Sequence, residues 1–316
     1  MHQRLLVSNY LSIKRLIYSY LLHSLSGHTL SEEYRCIKDK QFPLYKGRDN
    51  NQVLYISGVA LRLSKSHNQT PMEIASGIAF HLLATDGDVF NVKIVPPGWI
   101  YLELTHPFLA AWLQRLAVRN VGENEEIGKW GDGALQDWGA IRKREIISQN
   151  PARLFAIQYA HARCCSLVLL AHREGLIKLR EPLPEAGENA QWQKPNFPSS
   201  VSAFWRVTST EQIPWLNCED MLRLNHPAEG HLISELVQAV DHLESFDFSA
   251  SVNWEKVGLD LTQAFESFWR ICRIWGDIKT SSPELAQARL GLVMATQSVL
   301  RFLLVEKLGV FAPLEL

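Results

Sequence analysis

The sequence has almost no net charge, little cysteine, and no uncharged apolar run near the roughly 18 residues a membrane span needs. Its 32 Lys/Arg against 33 Asp/Glu leave a formal charge of −1, a balance that does not advertise a polyanionic partner. Charge placed on one face can still serve one: residues 1–115 carry 12 Lys/Arg against 8 Asp/Glu, and the remainder 20 against 25. The five cysteines, Cys36, Cys164, Cys165, Cys218 and Cys272, are odd in number and none are spaced as CxxC. That argues for reduced thiols packed in a cytosolic protein, without a disulfide framework or a metal site. The opening MHQRLLVSNYLSIKRLIYSYLL is interrupted by Arg4, Lys14 and Arg15 and lacks a small-residue cleavage site, so it does not read as a targeting signal. A Ser/His/Asp set, a carboxylate pair and a Gly-rich phosphate loop are all missing, so no catalysis and no cofactor are expected. These absences predict a soluble, cytoplasmic chain without membrane contact.

What is present is 47% hydrophobic and 21% charged over 316 residues, enough for two packed domains. Residues 1–118 mix periods: a helix over 4–24, two helical patterns broken at His67–Pro71, alternating strands at 89–95 and 99–104, and a helix at 107–116. Thr70, Pro71 and Glu73 have the spacing of a capping box. This predicts an α+β unit. Residues 119–149, rich in glycine and charge, read as a linker. Residues 150–316 predict an all-α bundle with helices over 151–175, 216–246, 254–275 and 283–308, started at Pro283 and stopped at Gly309, around a Pro-rich insertion at 180–215. The chain is expected to be mainly helical.

Within that bundle, Phe155–Ser166 (FAIQYAHARCCS) resembles the opening helix of the anticodon-binding domain of arginyl-tRNA synthetases, the DALR type. Leu259–Cys272 (LDLTQAFESFWRIC) and Pro283–Leu308 resemble two later helices of that domain, in the same order. Upstream, Val59–Leu82 and Pro97–Leu104 (PGWIYLEL) resemble the additional N-terminal domain of the same enzymes. The family places a large nucleotide-binding domain between these regions, whereas about 30 residues stand there in this chain, too few for a doubly wound sheet. No HxGH-type sequence is present, and LSKS at Leu63–Ser66 falls inside a helical pattern, so it reads as a chance match to the second ATP motif. The resemblance implies a synthetase-like protein without its catalytic domain, able to hold a tRNA, most plausibly an arginine acceptor, but not to charge one.

The residues this implies for RNA contact fall in three groups. Gln158, Tyr159 and Arg163 share a helical face with Ala162, where Tyr159 can stack on a base and Arg163 can pair with phosphate or a base edge. The competing reading packs Tyr159 inside the bundle and gives Arg163 an ion pair. His161 points off that face and reads as a packed or surface histidine. Phe265, Phe268, Trp269 and Trp275 form a core stripe, with Trp269 the exception that the resemblance assigns to the anticodon side. At the D-loop side, Trp99 and Tyr101 stand where the family has an aromatic ring and an amide, so stacking is kept while amide readout is lost. Arg142, Lys143 and Arg144 form either a solvated linker or a phosphate contact. The final FAPLEL lacks the arginine of the family's PERM-like tail, which weakens anticodon readout. A different reading makes the chain a protein-interaction scaffold that no longer binds RNA; Trp192, Trp205 and Trp215 would anchor a partner if exposed, and the sequence does not place them inside or outside.

Overall fold

Helix α1 (Ile13–Ser26) turns Ile13, Leu16, Ile17, Leu21 and Leu25 to one buried stripe, the spacing that makes a helix amphipathic. In this computed structural model the structure describes residues 12–26, 42–47, 52–65, 69–118, 150–180, 206–207, 212–243 and 252–316. The linker expected at 119–149 and most of the 180–215 insertion lie outside the described residues. Those described form a mainly helical α+β protein. They group by packing into two compact units, one drawn from Met1–Trp112 and Trp215–Arg273, the other from Leu113–Pro214 and Ile274–Leu316.

The first unit holds an antiparallel sheet of β1 (Leu44–Lys46), β2 (Leu54–Ser57), β3 (Phe90–Val95) and β4 (Trp99–Leu104), in the order β1-β2-β4-β3. Register pairs Tyr55 with Leu102 and Ile56 with Tyr101, so Tyr55, Ser57, Ile100, Leu102 and Leu104 share the buried face. Strands β3 and β4 fall where the alternation predicts. Strands β1 and β2 come as additions: three and four residues are too short to show a period, and pairing with β4 supplies the constraint that the sequence hides.

Two helices follow β2, α2 (Val59–Leu63) and α3 (Pro71–Asp86). Helix α3 starts as its capping box requires: Thr70 Oγ1 accepts from the Glu73 N–H at 3.3 Å, and Glu73 Oε2 accepts from the Thr70 N–H at 2.8 Å. It packs on β3 and β4 and against α1. Helix α4 (His106–Ala117) follows β4. Between β3 and β4, Gly98 holds φ of +149° with its Cα against Pro71, where an added Cβ would stand 2.7 Å from Pro71 Cβ and 2.9 Å from its carbonyl. Both the backbone angle and the space demand glycine. Gly98→Ala is therefore expected to cost about 3 kcal/mol in urea unfolding; a loss below about 1 kcal/mol would mean that Pro71 can move aside.

Helices α6 (Pro227–Leu243) and α7 (Trp254–Ile271) complete this unit, packed on each other, with α6 also against α1. Helix α6 starts eleven residues later than its apolar spacing predicts. Asn217 Oδ1 accepts from the Glu219 and Met221 N–H groups, each at 2.9 Å, and Asp220 takes φ of +56°, so the side chain offers the backbone a tight loop instead of a helix. Trp215 leads into that loop only 2% exposed, which places it in the core and removes it as a partner anchor for the scaffold reading.

A polar cluster ties α6 to the sheet and to α1. Asp241 accepts from Ser12 Oγ at 2.8 Å, from the Lys14 N–H at 3.0 Å, and from the Tyr55 hydroxyl. Lys46 Nζ donates to the Ser234 carbonyl and to Ser234 Oγ, the latter at 2.7 Å. Burial pushes the Tyr55 hydroxyl well above the ordinary phenol value, and the adjacent Asp241 adds to the shift.

The second unit is built on α5 (Pro151–Arg173) packed against α9 (Pro283–Phe302), with the short α8 (Asp277–Ser281) beside α9. A two-residue ladder joins β5 (Leu179–Arg180) to β6 (Arg206–Val207). Asn150 caps α5 through Oδ1 on the Ala152 N–H at 3.0 Å, and Pro151 opens its first turn. Helix α9 begins at Pro283 as predicted and widens into a π turn at Leu303–Lys307, which Gly309 ends with φ of +64°. Helix α5 and the stretch Pro283–Lys307 are long and apolar enough to cross a bilayer, yet half and 72% of their most apolar windows are buried within the protein, as core helices require.

Candidate functional site

No acidic residue occurs between Pro151 and Arg173, while Arg153, Arg163 and Arg173 do. The buried face of α5 takes Ile157, Ala160, Cys164, Cys165, Leu167, Val168 and Ala171. The opposite face leaves Phe155 56% and Tyr159 47% exposed, with Arg163 one turn further on. The Phe155 and Tyr159 rings lie 25° from parallel, with centroids 6.3 Å apart, as i and i+4 side chains on one helix face can. Large rings left in water beside guanidinium groups suit a flat, anionic ligand.

The C-terminal segment lies along the same helix. Gln158 Nε2 donates to the Phe311 carbonyl at 2.8 Å, and His161 Nδ1 contacts the Pro313 carbonyl, also at 2.8 Å. Gln297 Nε2 stands 3.0 Å from His161 Nε2. A carbonyl can only accept, so the neutral tautomer carries its proton on Nδ1 and accepts from the Gln297 amide on Nε2. His161 is fully buried. Burial lowers its pKa to about 4; the Pro313 bond pulls back and the nearby Arg301 charge adds to the lowering. Cys165 lies 3.8 Å from both imidazole nitrogens and from Gln297 Nε2, and burial pushes its thiol up to about 12. A thiol held that high is packing, not a nucleophile. Among the described residues, Cys164 and Cys272 are likewise buried, Cys218 is exposed, and none of them is in a disulfide.

The residues singled out from sequence divide between the units. Tyr159 and Arg163 stand together on the exposed face of α5, whereas Gln158 turns to the C-terminal segment and Ala162 packs inward. Trp269 is half-buried on α7 in the first unit, next to the fully packed Phe268 and near the packed Phe265. Trp99 and Tyr101 are half-buried on one face of β4, Tyr101 across from Ile56 and Lys93. The Trp99 ring rests on Gly58, where a Cβ would come within 2.9 Å of the indole, so a glycine allows that contact. Arg142, Lys143 and Arg144 lie outside the described residues, as do Trp192 and Trp205. Sequence reasoning missed Phe155 and Phe311. Phe155 was readable as Tyr159 minus four, but nothing local announces that Phe311 returns to α5.

Part of the chain is 30% identical over 203 residues to an arginine–tRNA ligase of Heliobacterium modesticaldum, a match covering 60% of this chain and 29% of the ligase. The chain is similar in sequence to arginine–tRNA ligases. Its identity to the ligase of Moorella thermoacetica is 28% over 171 residues, 54% of this chain and 23% of the ligase. For the ligase of Brucella anthropi it is 34% over 104 residues, 33% and 16% respectively. The matches thus span less than a third of these ligases' length. No family model and no solved structure matches the chain.

Proposed function

We propose that this chain binds tRNA, an arginine acceptor, without charging it, and serves as an adaptor or regulator in the cytoplasm. The observation that carries the reading is the outer face of α5, where Phe155, Tyr159 and Arg163 line an acid-free helix. Similarity to arginine–tRNA ligases over part of the chain supports the choice of ligand. The loss of catalysis rests on the sequence: about 30 residues between the two resembling regions cannot form a nucleotide-binding domain, and no HxGH-type motif occurs. In this reading Tyr159 stacks on an unpaired base, Arg163 meets phosphate or a base edge, and Trp99 and Tyr101 supply stacking for the D-loop side. Trp269 offers a further ring, and Arg142, Lys143 and Arg144 a phosphate contact.

A titration of the full chain against total tRNA, with sequencing of the retained species, tests this directly. Enrichment of one isoacceptor set is expected, with log K falling linearly as log salt rises, and Arg163→Gln reducing that slope by about one. Equal retention of random duplex RNA, or salt-independent binding, would sink the reading. A second reading, a protein-interaction scaffold, draws on α3, where Met72, Phe80 and Leu83 are 37%, 71% and 51% exposed. It takes over if no RNA is retained at low salt and a stoichiometric protein copurifies.

A further inference from the structure

The two edges of the sheet differ. Strand β1 is three residues long, and its Lys46 is committed to Ser234. Strand β3 runs six residues, FNVKIV, and among the described residues it pairs with β4 alone. The Thr105 N–H donates to the Val89 carbonyl and the Leu104 N–H to the Val53 carbonyl, each at 3.0 Å. Odd residues of β4 therefore bond toward β3 and even ones toward β2. In the register Asn91–Glu103 and Lys93–Tyr101, the backbone groups of Asn91 and Lys93 are used on β4, while those of Phe90, Val92 and Ile94 point out from the edge. Such a row is a template for a further strand. The helix layer is open on the same side. Lys46 and Tyr55 bond α6 over β1 and β2, α1 packs on both α6 and α3, and α3 packs on β3 and β4. Helix α3 thus closes the layer above β3. It carries no Lys or Arg, and Met72, Phe80 and Leu83 stand exposed on its free flank.

We propose that a second copy of this chain adds to β3, antiparallel about a two-fold axis at Val92, and joins two four-stranded sheets into one. The edge is complementary to itself in that register. Val92 meets Val92 of the second copy and Phe90 meets its Ile94, so every outward backbone group is satisfied in a bonded pair. Asn91 meets Lys93 of the second copy, whereas an axis at Lys93 would set the two lysines against each other. Glu103, opposite Asn91, then lies two strands from the second copy's Lys93, within reach of that long side chain. Such exposed pairs add little energy but disfavour wrong registers. The axis also keeps both apolar faces on one side and brings α3 beside its image. A helix lying over β3 and β4 stands about 5 Å from the axis, so the two copies of α3 come about 10 Å apart, the spacing of packed helices. Phe80 and Leu83 are covered there. The outer face with Trp99 and Tyr101 stays open, so this inference goes beyond the RNA reading and does not depend on it.

Analytical ultracentrifugation of the full chain over a concentration series is expected to show a reversible dimer. Val92→Pro is expected to make it monomeric, because it removes a donor from the open edge, where proline is tolerated, and leaves every bond to β4 in place. Phe80→Ser, a change at an exposed ring, is expected to weaken dimerisation by at least about tenfold. Far-UV circular dichroism checks that each variant keeps its fold. The register has its own readout. Relative to a Cys218→Ser parent, Val92→Cys is expected to form an intermolecular disulfide on mild oxidation, since Cα atoms in a bonded pair stand about 5.5 Å apart. Asn91→Cys, which faces Lys93 of the second copy, is expected not to. A single-chain mass at every concentration overturns the proposal, whether or not another protein is captured on α3. A dimer that survives in folded Val92→Pro overturns the strand pairing, and crosslinking through Asn91→Cys in place of Val92→Cys overturns the register.

Discussion

Asp241→Ala is expected to destabilise the sheet-bearing unit by about 3 kcal/mol, measured by urea unfolding at neutral pH. The truncation strips an acceptor from Ser12 Oγ, the Lys14 N–H and the Tyr55 hydroxyl at once, and takes from Lys46 one of its two nearby carboxylates, leaving Glu235. Asp241→Asn is expected to cost no more than about 1 kcal/mol, because its oxygen still accepts from Ser12 and Lys14 and its amide can donate to Tyr55. The pH dependence has a defined sign. Burial holds the Asp241 carboxyl above the ordinary range, against the pull of its bonds to Tyr55, Lys14 and Ser12 and of the Lys46 charge. The folded unit thus prefers the protonated acid. That contribution is complete below about pH 4 and is lost as pH rises through the elevated folded value. Asp241→Asn should abolish it, and an unchanged profile would refute the assignment.

The second large effect belongs to His161. Its pKa of about 4 lies below the ordinary 6.5, so the folded unit keeps the ring neutral while the unfolded chain takes a proton. Stability is expected to fall as pH drops from about 6.5 towards 4 and then level off, a total on the order of 3 kcal/mol. His161→Gln should start less stable at neutral pH and lose this dependence, since glutamine has nothing to protonate. Parallel slopes for the two proteins in urea unfolding across that range would show that other groups carry the acid sensitivity.

Much of the local structure could be read before the coordinates. Thr70, Pro71 and Glu73 define the start of α3, and Pro283 and Gly309 bracket the last helical stretch, because caps and breakers act on their neighbours. The burial of Phe265 and Phe268 follows from helical spacing in the same way, whereas spacing puts Tyr159 and Arg163 on one face and leaves open whether that face is packed or exposed. What escaped depends on distant partners. Tyr55 meets Asp241 across 186 positions, and Gln158 meets Phe311 across 153. The placement of Trp215 stayed open because a tryptophan in a Pro-rich stretch suits a surface anchor or a core equally, and only its packing shows that it is core. In the candidate site, the shared face of Tyr159 and Arg163 was legible from periodicity, whereas Phe155 was passed over and the commitment of Gln158 to the C-terminal segment had no local signal.

Both compact units are discontinuous along the chain, the first needing Trp215–Arg273 and the second needing Ile274–Leu316. Synthesis runs at about 5–20 residues per second, so strands β1 to β4 leave the ribosome several seconds or more before Asp241 exists to accept from Tyr55. Through that interval the nascent sheet lacks the partners that its own groups require, Asp241 for the Tyr55 phenol and Ser234 for Lys46, and its concealed face stays wet. The chain therefore cannot complete one unit and then begin the next, as a string of independent modules would; the first is finished only after most of the second has been translated.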